Sequence, residues 1–405
     1  GTYPPAGNVN DCIPVLDIKR GGSPGNPITF TAYKDSNGRY ENVILDAQMT
    51  TFFSVWISGV NDIVIDGLIA TGGKRQGFQV GDHSGCGGSF YRGPAHDIII
   101  RNSIAHDNGA CNTWHGGFEV GGASYNVLFE RDESYNNGQG FKVGDPHATS
   151  GTSIPYNIII QYSLARDNII GGGNSNGFVF NAVRNSKMSH NVAYRNADTG
   201  AGSQGPFSDN NIYEYIVAWD NGMSPNVPPC SVQTPNARGM QFGNEGNNLG
   251  IGGYSGGVNN IVRYSVSANN FGRGINDAEG SHNGSYYNNV AFRNARGGAT
   301  DSWGYMFDSK AGTGLYPAVT IGATFKNSVS YLNAPSPDLA VATRTNGVPI
   351  SDASNNFIAD GSYICAGCKL GDPEFSDPAK FNVDMNLYLG DPAYKIPNPN
   401  FGKVS

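Results

Sequence analysis

Lys142 sits in the run Gln139-Gly-Phe-Lys-Val-Gly-Asp-Pro-His147, and the same frame returns in three other places. These are Arg75-Gln-Gly-Phe-Gln-Val-Gly-Asp-His83, His115-Gly-Gly-Phe-Glu-Val-Gly121 and Asn176-Gly-Phe-Val-Phe-Asn181. If each Phe points inward at one phase, the residue after it points outward, because side chains alternate along a strand. Gln79, Glu119, Lys142 and Val179 then form one exposed column, with Asp82, His83, Asp145 and His147 in the loops at its end. A lysine with His115, His147, His83 and Asp145 nearby is equipment for moving protons. A lysine serves as a base only as the free amine, which burial or a positive neighbour favours. Glu119 works against it, and an ordinary cross-strand ion pair between Glu119 and Lys142 is the competing, purely structural account. Any one of the histidines alone reads as a loop residue bonded to backbone. Trp114 and Tyr91 are aromatic residues that could offer flat platforms to a ligand.

The elements that must position this column are repeats. Asn102-Ser-Ile-Ala-His-Asp-Asn-Gly109 returns as Tyr162-Ser-Leu-Ala-Arg-Asp-Asn168, His190-Asn-Val-Ala-Tyr-Arg-Asn196 and Tyr215-Ile-Val-Ala-Trp-Asp-Asn221. Further copies end at Asn270, Asn294 and Asn333, and a degenerate one at Asn137. Most neighbouring copies lie about 24 to 31 residues apart, in the solenoid range and short of a propeller blade. Each copy alternates as a strand does. A second short strand precedes it (His96–Arg101, Tyr156–Gln161) and the Gly-Phe segment follows it. Three short strands per turn predict an all-β, single-stranded right-handed parallel β-helix. The terminal Asn suits a left-handed turn and could bond along a ladder from coil to coil. The coils are expected over about 40–335, with a coil near Arg238–Phe242 inside the long Asn221–Asn270 gap and residues 336–405 as an irregular cap. The whole chain, 1–405, reads as one domain.

Composition agrees. The 405 residues carry 57 Gly and 22 Pro but also 38% hydrophobic and 11% aromatic residues, which suits many turns around many buried strands rather than disorder. A net charge of -7 disfavours nucleic acid as a partner. No apolar run approaches the roughly 18 residues of a membrane span. Six cysteines without a second CxxC or an HxxxH do not describe a zinc site, so Cys365-Ala-Gly-Cys368 reads as a local disulfide. Cys86 and Cys111, about one coil apart, could bridge two loops. The chain is therefore expected in an oxidising compartment, secreted and monomeric.

Gly140-Phe-Lys-Val-Gly144, followed by Ile158-Ile-Ile-Gln-Tyr-Ser-Leu-Ala-Arg-Asp-Asn168, resembles the family 9 polysaccharide lyases. These are right-handed β-helix enzymes that cleave pectate by β-elimination. The resemblance in repeat style covers roughly residues 40 to 335. It implies that Lys142 is the catalytic base, with His147, Asp145 and His115 beside it, acting on an acidic polysaccharide. It also implies an essential calcium ion, held in the family by an Asp-Asp-Gly-Phe-Asp segment. This chain has His115-Gly-Gly-Phe-Glu119 there instead, so calcium would need Glu119 together with Asp107, Asp132 or Glu133. Elimination on a uronate requires the substrate carboxylate to be neutralised, by a cation or by Arg184, Arg166 or Arg195, with Asn176 and Trp114 as further sugar contacts. Asp145-Pro-His147 is in addition similar to the motif of mannuronan carbon-5 epimerases, in which it directly follows Gly-Phe. Epimerase and lyase share the first proton abstraction. A β-helix that only binds acidic polysaccharide through calcium is the non-catalytic alternative.

Overall fold

The computed structural model describes residues 1–5, 11–82, 86, 92–110, 115–145, 148, 151–170, 175–205, 207–222, 239–242, 257–277, 283–295, 303–309, 322–333, 339–343 and 350–370. Every regular element among them is a strand, and each strand pairs in parallel with the strands three before and three after it in sequence. That pattern generates three sheets of 12, 11 and 11 strands wound into a right-handed parallel β-helix. One turn contributes, in order, a strand to an isoleucine-rich sheet (His96–Arg101), one to an alanine-rich sheet (Ile104–His106) and one to the sheet that carries the Gly-Phe segments (Gly116–Val120). The last is called the site sheet below.

The core follows from residue size at each phase. Phe78, Phe118, Phe141 and Phe178 are fully buried and stack face to face at 4.8, 4.6 and 4.8 Å between ring centres. Ile98, Val127 and Ile158 face them from the isoleucine-rich sheet in register. Ala105, Ala165, Ala193 and Ala218 fill the third side, where the space is narrow because an asparagine ladder occupies the corner. Asn108, Asn137, Asn168, Asn196, Asn221, Asn270, Asn294 and Asn333 are its rungs. Each rung's backbone N–H donates to the Oδ1 of the next, as Asn108 does to Asn137 at 2.9 Å and Asn294 to Asn333 at 2.9 Å. Each Nδ2 in turn donates to a carbonyl of an earlier coil, as Asn196 does to Ala165 at 3.0 Å. The ladder satisfies buried polar groups that the turn would otherwise orphan. It also dictates the glycine before each inward residue of the site sheet: a Cβ on Gly177 would lie 2.8 Å from Asn196 Nδ2 and 2.5 Å from Gly200 O.

Four expectations are corrected by this architecture. The left-handed turn residue is the one before the ladder asparagine, namely Asp107, Asn136, Asp167, Arg195 and Asp220, with φ between 50 and 54°. That residue turns the chain so that the next one can point its amide inward. The coils start before residue 40, with strands at Leu16–Ile18 and Ile28–Thr31. They run past residue 335 to Phe357–Ile358, so the decayed repeat there still forms turns of the helix, and residues 371–405 lie outside the described ones. Cys86 pairs with Cys12 rather than Cys111, at a Cα separation of 5.7 Å, because both pack with Phe53 and Trp56 over the first coils of the site sheet; Cys111 lies outside the described residues. Cys365 and Cys368 are joined as the local spacing suggested. The strand Met240–Phe242 confirms a coil within the Asn221–Asn270 gap.

Candidate functional site

The site sheet positions the chemistry through strict register. Phe118 pairs with both Phe78 and Phe141, and Phe141 with Phe178, so Gln79, Glu119, Lys142 and Val179 form one outward column as the spacing required. The column is not exposed, however. Gln79, Glu119, Lys142 and Val179 keep 0%, 5%, 8% and 2% of their surface. Burial changes the meaning of the ion pair. A solvated Lys–Glu pair contributes little, whereas a buried one either costs stability or is retained for a function.

Lys142 Nζ donates to Glu119 Oε1 at 3.0 Å. The other carboxylate oxygen accepts Gln76 Nε2 at 2.8 Å, and His115 Nδ1 stands 3.8 Å from it. Gln76 Nε2 also lies 3.0 Å from His115 Nδ1, so one amide group bridges the imidazole and the carboxylate. Gln76 and Gln139 stand two residues before the inward Phe of their strands, the position Asn176 takes on the next coil, and all three are buried. Asn176 Oδ1 accepts the Thr199 N–H at 3.3 Å, which leaves its side chain on the same face one coil beyond Gln139. Arg75 packs its guanidinium over Phe52 at 4.0 Å. Burial lowers its pKa, with the charges of Glu119 and Asp11 opposing that shift. The result is a compact array of Gln76, His115, Glu119 and Lys142, with Arg75 as the arginine whose charge is felt by Glu119.

Several of the other residues singled out by the sequence lie apart from this array. Asp145 is exposed just past Gly144, at the end of the Lys142 strand, while His83, Tyr91, Trp114 and His147 lie outside the described residues. Asp82 anchors a loop, its Oδ1 accepting Ser58 Oγ at 2.8 Å and the Gly93 N–H at 3.1 Å. Arg166 and Arg195 are on the alanine-rich sheet, tied to Glu133 at 2.7 Å and to Asp167 at 2.6 Å. Arg184 bridges Tyr156 at the start of the isoleucine-rich sheet. None of the three arginines joins Lys142, because their strands belong to other faces of the prism. Gln76 and Arg75 were the residues that sequence reasoning passed over. The signal was present, since Gln76-Gly-Phe, Gln139-Gly-Phe and Asn176-Gly-Phe share one phase.

The proposed calcium ligands do not converge either. Asp107 is exposed beside His106, and Glu133 serves Arg166. Asp132 is a corner residue inside the helix, accepting the Ser103 and Glu130 N–H groups at 2.8 and 3.1 Å. Burial raises its carboxyl well above the usual range, which favours the neutral acid over a metal ligand. Glu119 alone remains, and its oxygens face an ammonium and an amide. Among the described residues no group of three or more His, Cys, Asp or Glu could hold a metal ion. Among the described residues these four carboxylates therefore do not gather the six to eight oxygens that a calcium ion takes.

No protein-family model matches the sequence, and no curated protein does. Solved structures do match. The fold is similar to that of a rhamnogalacturonan lyase, with a TM-score of 0.58 and 16% identity, over 100% of this chain and 87% of that one. A pectate lyase, Pel9A, aligns with a TM-score of 0.49 and 14% identity over 96% of this chain and 74% of that one. An alginate lyase from Paenibacillus sp. str. FPU-7 aligns with a TM-score of 0.48 and 15% identity over 71% of this chain and 84% of that one. The likeness to the rhamnogalacturonan lyase structure is one of fold and spans the whole chain.

Proposed function

We propose that this chain is a polysaccharide lyase that cleaves an acidic, uronate-containing polymer by β-elimination, with Lys142 as the base. The observation that carries the reading is the buried Lys142–Glu119 pair, held by Gln76 and His115 on the outward face of the site sheet. Lys142, an ammonium in the resting pair with Glu119, acts in its free-amine form, which rising pH populates, and takes the proton from carbon 5 of the uronate. The electron pair left behind forms the carbon 4–carbon 5 double bond, the bond from carbon 4 to the glycosidic oxygen breaks, and that oxygen takes up a proton from water. The ammonium formed on Lys142 is stabilised by Glu119, already within hydrogen-bond reach. Arg75 supplies positive charge toward the substrate carboxylate, a role the sequence had given to Arg166, Arg184 and Arg195. His115 and Gln76 hold the orientation of Glu119. No step is routed through calcium, since Glu119, Asp107, Asp132 and Glu133 do not converge. The two disulfides, Cys12–Cys86 and Cys365–Cys368, support export to an oxidising compartment, where such polymers occur.

The test is incubation with a panel of polyuronates, including pectate, rhamnogalacturonan and alginate, in buffer with excess chelator. Unsaturated uronate ends, read by ultraviolet absorbance and mass spectrometry, are the expected product, and Lys142→Arg is expected to abolish them because guanidinium stays protonated. Inverted carbon-5 configuration without chain cleavage would replace the lyase with an epimerase. Binding with neither product would leave a carbohydrate-binding β-helix. Turnover that returns only when calcium is added back would refute the metal-free site.

A further inference from the structure

Three coils beyond Lys142 the same outward column becomes polar again at Gln241, and it stays polar at Asn276 on the fourth; nothing in the Lys142 array accounts for this. The column continues in register from Lys142 through Val179 and Gly202 to Gln241, Asn276 and Met306. Ile275 points into the core, so Asn276 after it points outward. Asn276 is fully buried, and among the described residues neither its Nδ2 nor its Oδ1 has a hydrogen-bond partner. A carboxamide buried with both ends unmet is costly, at about 1–3 kcal/mol for each group. Its neighbours are chosen for the same ligand chemistry. Gln241 lies on the adjacent strand and takes the Gln204 Nε2 on its Oε1 at 3.3 Å. Arg273, two residues before Ile275 and 6% exposed, lays its guanidinium over the half-buried Trp303 at 5.3 Å. At Gly202 the floor between the two polar clusters carries no side chain, and a Cβ there would meet Gln241 O at 1.8 Å.

We infer that Asn276, Gln241, Arg273 and Trp303 form a second saccharide subsite for an anionic sugar, on the same sheet as Lys142. Arg273 pairs with the sugar carboxylate, Trp303 flanks the ring, and the two amides exchange hydrogen bonds with hydroxyls. This rests on the lyase reading for the polymer but not for the binding. Four strand spacings of about 4.8 Å separate the two clusters by roughly 19 Å, so only a chain of several sugar units reaches both. The subsite therefore selects for chain length.

The experiment uses the full chain carrying Lys142→Arg, which keeps a cation opposite Glu119. Short (di- and trisaccharide) and long (octa- to decasaccharide) oligogalacturonates and oligomannuronates are titrated calorimetrically, with and without Asn276→Ala or Arg273→Gln. Long oligomers of the accepted series should bind at least tenfold more weakly to either added variant, about 1.4 kcal/mol, and short ones equally well. The melting temperature of Asn276→Ala should be unchanged or higher, because an unmet buried amide is removed, whereas a structural asparagine would show a fall. Equal affinity of all forms for long oligomers, or no binding of any oligouronate, overturns the subsite. Length-dependent binding that needs Asn276, in a parent that cleaves no polyuronate, keeps the subsite and removes the lyase.

Discussion

Removing one member of the Lys142–Glu119 pair should cost far more than removing both. The two groups retain 8% and 5% of their surface and meet at 3.0 Å. In Lys142→Met the carboxylate of Glu119 stays buried without its lysine partner, beside the Gln76 amide and the His115 imidazole. Stranding a buried charge in this way costs about 3–5 kcal/mol. Adding Glu119→Gln removes the charge and leaves an amide that can still bond Gln76, so the double variant should recover all but about 1 kcal/mol. Glu119→Gln alone strands the ammonium, with a loss of similar direction. The cycle is read from urea midpoints at constant slope, which separates stability from changes in the denatured state. The coupling between the two sites, the sum of the two single losses less the loss in the double variant, should exceed about 2 kcal/mol. Cleavage should be absent from Lys142→Met and from the double variant alike, so stability is rescued and turnover is not. If Lys142→Met and the double variant unfold at the same urea concentration, the pair is effectively solvated, and the argument from burial to function fails with it.

Two further outcomes test the scaffold. Asp132 has its carboxyl raised by burial, so the folded state holds its proton more tightly than the unfolded one. Its contribution is thus fully present below the ordinary carboxylate range and is lost as pH rises from that range toward the folded value. Asp132→Asn, which puts at this corner the residue that Asn191 already provides, should gain on the parent as pH climbs from about 4, by at most about 1.4 kcal/mol per unit; parallel stability–pH curves would contradict it. Asn196→Ala takes acceptors from the Asn168 backbone N–H and Nδ2, at 3.3 and 2.8 Å, and a donor from Ala165 O. Three buried bonds lost, with Asn168 Nδ2 keeping its bond to Ser134 O, imply a loss of about 2–5 kcal/mol by urea titration, and a loss under about 1 kcal/mol would mean that the ladder is replaceable.

Repetition made the fold legible. Sixteen residues, the four Gly-Phe pairs and the eight terminal asparagines, state both the period and the phase, because each coil meets the same neighbours and answers with the same residue types. Register along the site sheet followed from the Phe phase alone. What the phase does not encode is how deeply a face is covered, so the Lys142 column was read as exposed when it is buried. Nor does sequence distance say which face a charged residue occupies. Arg166 and Arg195 follow Lys142 closely in the chain yet lie on another sheet, while Arg75, two coils earlier, couples to Glu119. Gln76 went unnoticed because a glutamine bears no charge and announces itself only through its partner. The disulfide of Cys12 escaped because it joins a stretch before the first clear repeat to one between two coils.

The asparagine ladder also sets the terms on which the chain can lengthen. Neighbouring rungs are 29, 31, 28, 25, 49, 24 and 39 residues apart, yet each closes the same N–H to Oδ1 bond at 2.9–3.3 Å. A coil is thus measured by where it returns and not by how far it travels. Going from 24 to 49 residues adds only about 0.6 kcal/mol of closure entropy, less than one rung is worth. Within the longest of these intervals Met240–Phe242 still forms a strand of the site sheet in register with its neighbours. The scaffold is therefore nearly indifferent to insertion beside the sheet that bears the chemistry, and loops there can be exchanged between coils, lengthened or grafted without renegotiating the rungs beneath them.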